Sequence, residues 1–185
     1  VAEGSVSERI GDWMQTYTGR QFWPLDPRPE EVDIEDIARS LAHQCRYAGH
    51  VRRHYSVAEH SFHIAAAVPP EAALWGLLHD ATEAYLVDVP RPVKAALGEV
   101  YARIERRLEA CIAARFGLAL PVPPCVKAAD TRILQMERAA LLEPPPVPWA
   151  TDAAGPPLLG IRIWAWPADR AYDLFMHRFR QLTGG

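Results

Sequence analysis

Apolar side chains recur three and four residues apart along almost the whole chain, and prolines cut that pattern into segments. A chain patterned this way folds as helices packed on one another, because proline tolerates a helix start but not its interior. Asp33 and Asp36 stand as caps before Ile34, Ile37, Ala38 and Leu41, the first stripe at helical spacing. Ser56 with Glu59 three residues on makes a capping-box pair and opens a helix whose inward face carries Val57, His60, Ser61, Ile64 and Val68. Pro69 and Pro70 end it. EAALWGLLHDATEAYL reads as the next helix until VDVPRP breaks it. A short PVKAAL segment then precedes EVYARIERRLEACIAARF, which Gly117 closes. CVKAADTRILQMERAALL and ADRAYDLFMHRFRQL are the last two predicted helices. Between them, EPPPVPWATDAAGPPLLGIRIWAWP holds too much proline for a long helix; IRIWAW is a candidate short strand, but one strand makes no sheet. The expectation is a compact all-α bundle, one domain over residues 1–185, with a long Pro-rich loop near residues 143–167 of the kind that borders a site.

Composition narrows the partners. At 185 residues, 49% hydrophobic and 23% charged, the chain is long enough to bury a core. A net charge of -3 leaves no electrostatic footprint for duplex nucleic acid, although small anions fit. No run approaches the roughly eighteen apolar residues that cross a bilayer. VAEGSVSERIGD lacks a signal-peptide pattern, so no membrane partner and a cytoplasmic address are expected. Cys45, Cys111 and Cys125 are odd in number and lack metal-finger spacing, which reads as reduced, buried thiols.

The chemistry begins where polar residues interrupt apolar faces. His79 and Asp80 are adjacent on an apolar helix, so at least one points inward, where an unpaired polar group costs about 2 kcal/mol or more. Glu83 lies one turn after His79, and Gly76, one turn before Asp80, lets another backbone come close. Asp130 interrupts the apolar side of CVKAADTRIL, with Ile133 and Glu137 following at helical spacing. His60, His79, Asp80 and Asp130 thus come to the core from three helices. Two imidazoles and two carboxylates can hold one divalent cation near charge neutrality, with positions left for water. Such an ion makes water a nucleophile at neutral pH, and Glu83 beside it is placed to move the proton. Each residue also has an ordinary structural reading: a core histidine is commonly just hydrogen-bonded, and His-Asp pairs occur by chance. His63 would replace His60 if the helix were rotated, but the capping box favours His60. His43 and His177 read as structural.

The blocks Arg46-Tyr47, SVAEHS at 56–61, LLHDATE at 77–83, Asp88 and Asp130, in that order, resemble the HD-domain phosphohydrolases, most of all the branch of bacterial 5'-deoxynucleotidases. The resemblance spans about residues 40 to 140. It implies an all-α fold, one metal held by His60, His79, Asp80 and Asp130, and hydrolysis of nucleotide phosphate esters, foremost 5'-deoxynucleoside monophosphates. By the same resemblance Arg46 holds a phosphate, Glu83 acts in proton transfer and Asp88 meets the sugar 3'-hydroxyl. Beside those roles stand plainer ones. Arg46 suits a helix C-terminus, Asp88 a turn, and Glu83 an exposed helix surface. The basic loop GHVRRH, with His50 and His54, is either solvated or holds the outer phosphates of a triphosphate, and Lys94 is a similar candidate. Ala84 departs from the H-D-x-x-E-D of guanosine tetraphosphate hydrolases, and Thr82-Glu83 from the H-D-x-G-K of cyclic-dinucleotide phosphodiesterases. Mixed nitrogen and oxygen ligands suit Mn, Co, Fe, Ni or Zn, with Mg also in range. Trp149, Trp164 and Trp166 read as core or lid packing ahead of base platforms. The alternatives are a deoxynucleoside triphosphate triphosphohydrolase, a non-catalytic metal-stabilised nucleotide-sensing module, and a purely structural bundle without metal. Relatives of this kind commonly form dimers, and EVYARIERRLEACIAARF is an exposed helix through which a homodimer or higher oligomer would form.

Overall fold

A computed structural model of the protein describes residues 9–153, 155–156, 158 and 160–184. In chain order it holds β1 (Met14–Gln15), β2 (Gln21–Phe22), α1 (Ile34–His43), α2 (Val57–Ala67), α3 (Ala73–Leu78), α4 (Glu83–Leu86), α5 (Arg91–Phe116), α6 (Pro124–Leu141) and α7 (Ala168–Thr183). The fold is all-α apart from the small antiparallel β1–β2 hairpin, in which Met14 pairs with Phe22 and Gln15 with Gln21. The strand-forming residues therefore lie in the aromatic entry segment and not at IRIWAW. No helix among the described residues is long and apolar enough to cross a membrane.

α2 sits at the centre, packed by α1, α3, α6 and α7. Val57, Ala58 and Ala65 join a core with Ile37, Leu41, Leu77, Leu108 and Phe175, while Ile64 joins another with Tyr55, Trp75, Val126, Ile133 and Leu141. A helix enclosed on so many sides buries its polar residues too: Glu59, His60 and Ser61 have no exposed surface. Ser56 caps it as expected, accepting the Glu59 N–H at 3.0 Å. Glu59 does not close the box. Its carboxylate instead accepts the consecutive N–H groups of Trp164 (2.8 Å), Ala165 (2.9 Å) and Trp166 (2.6 Å). A segment whose donors are satisfied by one buried carboxylate needs no strand partner, and Ala165, at φ 58, turns the chain around it.

Asp33 caps α1 by accepting the Glu35 N–H at 2.9 Å. Asp36, the other expected cap, lies inside α1; it is buried and accepts from the Thr18 N–H (2.7 Å) and hydroxyl (3.0 Å), tying the hairpin to the helix. Residues 73–86 are not one continuous helix. After Leu78 the backbone tightens to three-residue bonds, from Ala81 N–H to Leu78 O, Glu83 N–H to Asp80 O and Ala84 N–H to Ala81 O. At three residues per turn, positions i and i+3 eclipse, so Asp80 and Glu83 stand one above the other.

Gly76 does let α3 close on α2: a Cβ there would lie 2.9 Å from Ala65 Cα and 3.0 Å from Ala65 N. Both obstacles are backbone, so relief requires separating the helices. Gly76→Ala is expected to destabilise the protein by about 1–3 kcal/mol, the usual range for overpacking, read as a lowered thermal midpoint. An unchanged midpoint would mean that the two helices are free to part.

Candidate metal centre

The site forms where α2, the turn after α3 and α6 meet. From α2, His60 points its Nε2 inward; from the turn, His79 does the same, and the two Nε2 atoms are 3.3 Å apart. Their outer nitrogens are occupied. His60 Nδ1–H donates to Glu137 Oε1 at 2.7 Å, and His79 Nδ1–H to the Gly76 carbonyl at 2.9 Å. These bonds fix both rings with Nε2 as the free donor atom, the arrangement metal-binding histidines use. Asp130 of α6 brings Oδ1 to 3.3 Å from His60 Nε2. Asp80 brings Oδ2 to 3.2 Å from His79 Nε2 and 3.6 Å from His60 Nε2. His60, His79 and Asp130 offer ligand atoms all within 4.8 Å of one another, a cluster of one buried and two half-buried residues able to hold a metal ion.

The electrostatics fit a cation. Burial and the Arg46 charge both act to lower the His60 pKa, yet Glu137 and Asp130 outweigh them and lift it to about 9. The negative charge of Asp130 and Glu137 that favours a proton there also favours a cation. Burial works to raise the Asp80 pKa, but His79, His60 and Arg46 hold that carboxylate well below its usual range.

Glu137 was visible in the sequence only as a position at helical spacing after Asp130. In the fold it has no exposed surface and collects Tyr47 OH (2.5 Å), Tyr55 OH (3.0 Å), His60 Nδ1 and, at 3.5 Å, Arg46 Nε. Tyr47 reaches it from left-handed backbone at φ 59, followed by Ala48 at φ 50. Arg46 is anchored by an extended contact after α1, its N–H on the Tyr55 carbonyl, and extends Nη1 to 3.4 Å from Asp80 Oδ2. No helix end holds it, since α1 finishes at His43.

Glu83 is buried, and its Oε2 has no hydrogen-bond partner among the described residues. Burial, then Asp80, then Asp88 push its pKa up to about 10. This is no exposed surface carboxylate. Gln44, another residue that sequence patterning passed over, ties the region together. It donates to the Glu83 carbonyl at 2.8 Å and accepts the Asp88 N–H at 3.1 Å. Between these two lies Val87 at φ 61, ψ 161, backbone that side chains other than hydrogen rarely adopt and that sets Asp88 facing the cavity.

A cavity of about 810 Å³ opens onto the cluster, lined by Arg46, His50, Asp80, Glu83, Asp88 and Lys94 among others. Leu134, Leu142 and Trp149 form an apolar wall, and Arg91 also lines the cavity. Lys94 pairs with Glu105 at 2.7 Å. His54 is exposed and is not among the lining residues, so the structure does not bring it to the site. His63 faces Glu59 and Trp166, away from the cluster.

No family model matches the chain. It is 35% identical over 171 residues to the uncharacterized protein YfdR of Escherichia coli (strain K12), covering 92% of this chain and 96% of that protein. It is also 42% identical over 138 residues to an uncharacterized protein of Rhodobacter capsulatus, covering 68% of this chain and 70% of that protein. With likeness running nearly end to end at that identity, the chain belongs to the family of YfdR.

Proposed function

We propose that this protein is a metal-dependent phosphohydrolase of the HD-domain type that hydrolyses nucleotide phosphate esters, with 5'-deoxynucleoside monophosphates as the first candidates. The observation that carries the proposal is the meeting of two oriented imidazole Nε2 atoms with Asp130 and Asp80, beside the buried Glu83, whose Oε2 has no hydrogen-bond partner among the described residues. In this reading Asp80 is the fourth ligand, and Mn, Co, Fe, Ni or Zn fits the nitrogen and oxygen donors, with Mg in range. When bound, such an ion supplies Lewis acidity and a nucleophile at neutral pH. Arg46 turns its guanidinium to the phosphate, a planar donor set matched to paired oxygens. Glu83, a buried carboxyl lining the same cavity, is suited to move a proton between the attacking water and the leaving oxygen. Asp88, which lines the cavity, faces the sugar.

A triphosphate reading is favoured by one feature: His50, Arg91 and Lys94 add basic groups along the same cavity. Incubation of the purified protein with Mn, Co or Mg ions and a panel of mono- and triphosphates tests both. Metal should raise the thermal midpoint, and inorganic phosphate should appear from monophosphates. Release of tripolyphosphate instead selects the triphosphohydrolase. Metal binding without turnover of any nucleotide overturns the enzymatic proposal and favours a sensing module.

A further inference from the structure

We propose that Arg91 is a substrate-positioning residue that exchanges partners, leaving the carboxylate of Asp130 for a phosphate of the substrate once Asp130 engages a metal. The inference rests on the phosphohydrolase proposal above and concerns a residue that the sequence motifs did not single out.

Arg91 is the first residue of α5, and Nη2 lies 3.6 Å from Asp130 Oδ2. That oxygen is the one turned away from the cluster, since Oδ1 faces His60. Among the described residues Asp130 is the only ion-pair partner of Arg91, whose side chain is 59% exposed. At 3.6 Å the contact is beyond hydrogen-bond reach, and so exposed a pair is weak. Arg91 is thus not a bonded support for a metal ligand of the kind Glu137 gives His60. It is a cation resting on the nearest negative charge. A divalent ion on Asp130 draws on that same charge, and a phosphate in the cavity then becomes the stronger attraction.

The backbone allows the exchange. Arg91–Leu97 is separated from the rest of α5 by Gly98 at φ 59, ψ −142, a conformation open to glycine alone, and Val87 breaks the chain before it at φ 61. The intervening segment is largely exposed, with Val93 and Leu97 each 49% accessible. It therefore joins the bundle through a non-helical residue at each end. Lys94 on the same segment is held by Glu105 and lacks this freedom. Arg91 is left as the cation able to follow the ligand.

The test is Arg91→Gln, with Arg91→Lys as the charge-conserving variant and Arg103→Gln, an exposed arginine of the same helix, as the control for net charge. Calorimetric titration with Co(II) should show equal or modestly tighter metal binding in Arg91→Gln, because a competing cation is gone. Titration of the Co-loaded protein with inorganic phosphate and pyrophosphate should show affinity reduced about tenfold or more, the loss of one charged hydrogen-bonding contact, partly restored in Arg91→Lys. KM should rise to match with kcat little changed. Metal affinity falling tenfold would show that Arg91 supports Asp130 and overturn the exchange. Unchanged phosphate affinity in Arg91→Gln would overturn it as well. If wild-type protein binds metal and phosphate but hydrolyses nothing, the enzymatic proposal fails while the titrations still decide the role of Arg91.

Discussion

Replacing Glu83 by Gln is expected to lower turnover by about 100- to 10,000-fold, the range for loss of a general acid or base, while metal affinity is retained. The substitution keeps the shape of the side chain and removes its proton. It should also make the protein more stable at neutral pH. The folded-state pKa of Glu83 is about 10 against an ordinary 4.5, with burial the main cause and the charges of Asp80 and Asp88 adding to it. The folded protein therefore holds a proton that the unfolded chain releases as pH rises. The contribution of this carboxyl to stability is whole below pH 4.5 and is lost as pH climbs through 10. Gln has no such loss, so in metal-free protein the variant should exceed wild type by on the order of 1–3 kcal/mol at pH 7, with the difference closing at about pH 4. Turnover assays and denaturant midpoints at the two pH values read both effects. Full activity in the variant would remove Glu83 from the chemistry, and equal stability at both pH values would show a solvated carboxyl.

Glu137→Gln should do the opposite to stability and damage the site from behind. Glu137 is the buried counter-charge of Arg46 and accepts from His60 Nδ1, Tyr47 and Tyr55. Neutralising it leaves the buried Arg46 guanidinium facing Asp80, at 3.4 Å, without its second carboxylate, a change expected to cost about 1–3 kcal/mol. Loss of the carboxylate behind His60 should weaken divalent-metal binding by about 10- to 100-fold. Burial acts to raise the Glu137 pKa, but Arg46 and His60 outweigh it and depress the pKa below its ordinary 4.5. Its contribution is therefore present above pH 4.5 and is lost as the solution is acidified through the folded-state value. The gap between wild type and variant should accordingly shrink in acid. Chemical denaturation across pH and calorimetric metal titration make the two measurements. A variant that matches wild type in both would leave Glu137 without the orienting role assigned to it.

Much of this was legible beforehand because it is local. Asp33 and Ser56 cap α1 and α2 and Gly117 ends α5 in left-handed backbone, each a consequence of a few neighbouring residues. The inward directions of His60 and Asp130 likewise follow from helical period, while His79 is aimed by the turn after α3, and the fold brings the three into one cluster. Patterning went astray where a side chain found a distant partner. Glu59 matched a capping box but binds Trp164, Ala165 and Trp166, more than a hundred positions away in the chain. Asp36 resembled a cap but holds the hairpin through Thr18. His54 resembled a phosphate ligand because it neighbours His50 in the chain, but it stays outside the cavity.

The amino-acid order by itself determined that this chain is helical, where prolines and caps begin its helices, and that His60 and Asp130 face inward. Such features depend on residues one to four apart. Tertiary structure alone decided that Glu137 lies behind His60, that Gln44 joins Glu83 to Asp88, and that Arg91 rests on Asp130. Each of those contacts links separate elements, and its geometry is set by how α1, α2, α5 and α6 pack. Periodicity within any one of them carries no record of that packing.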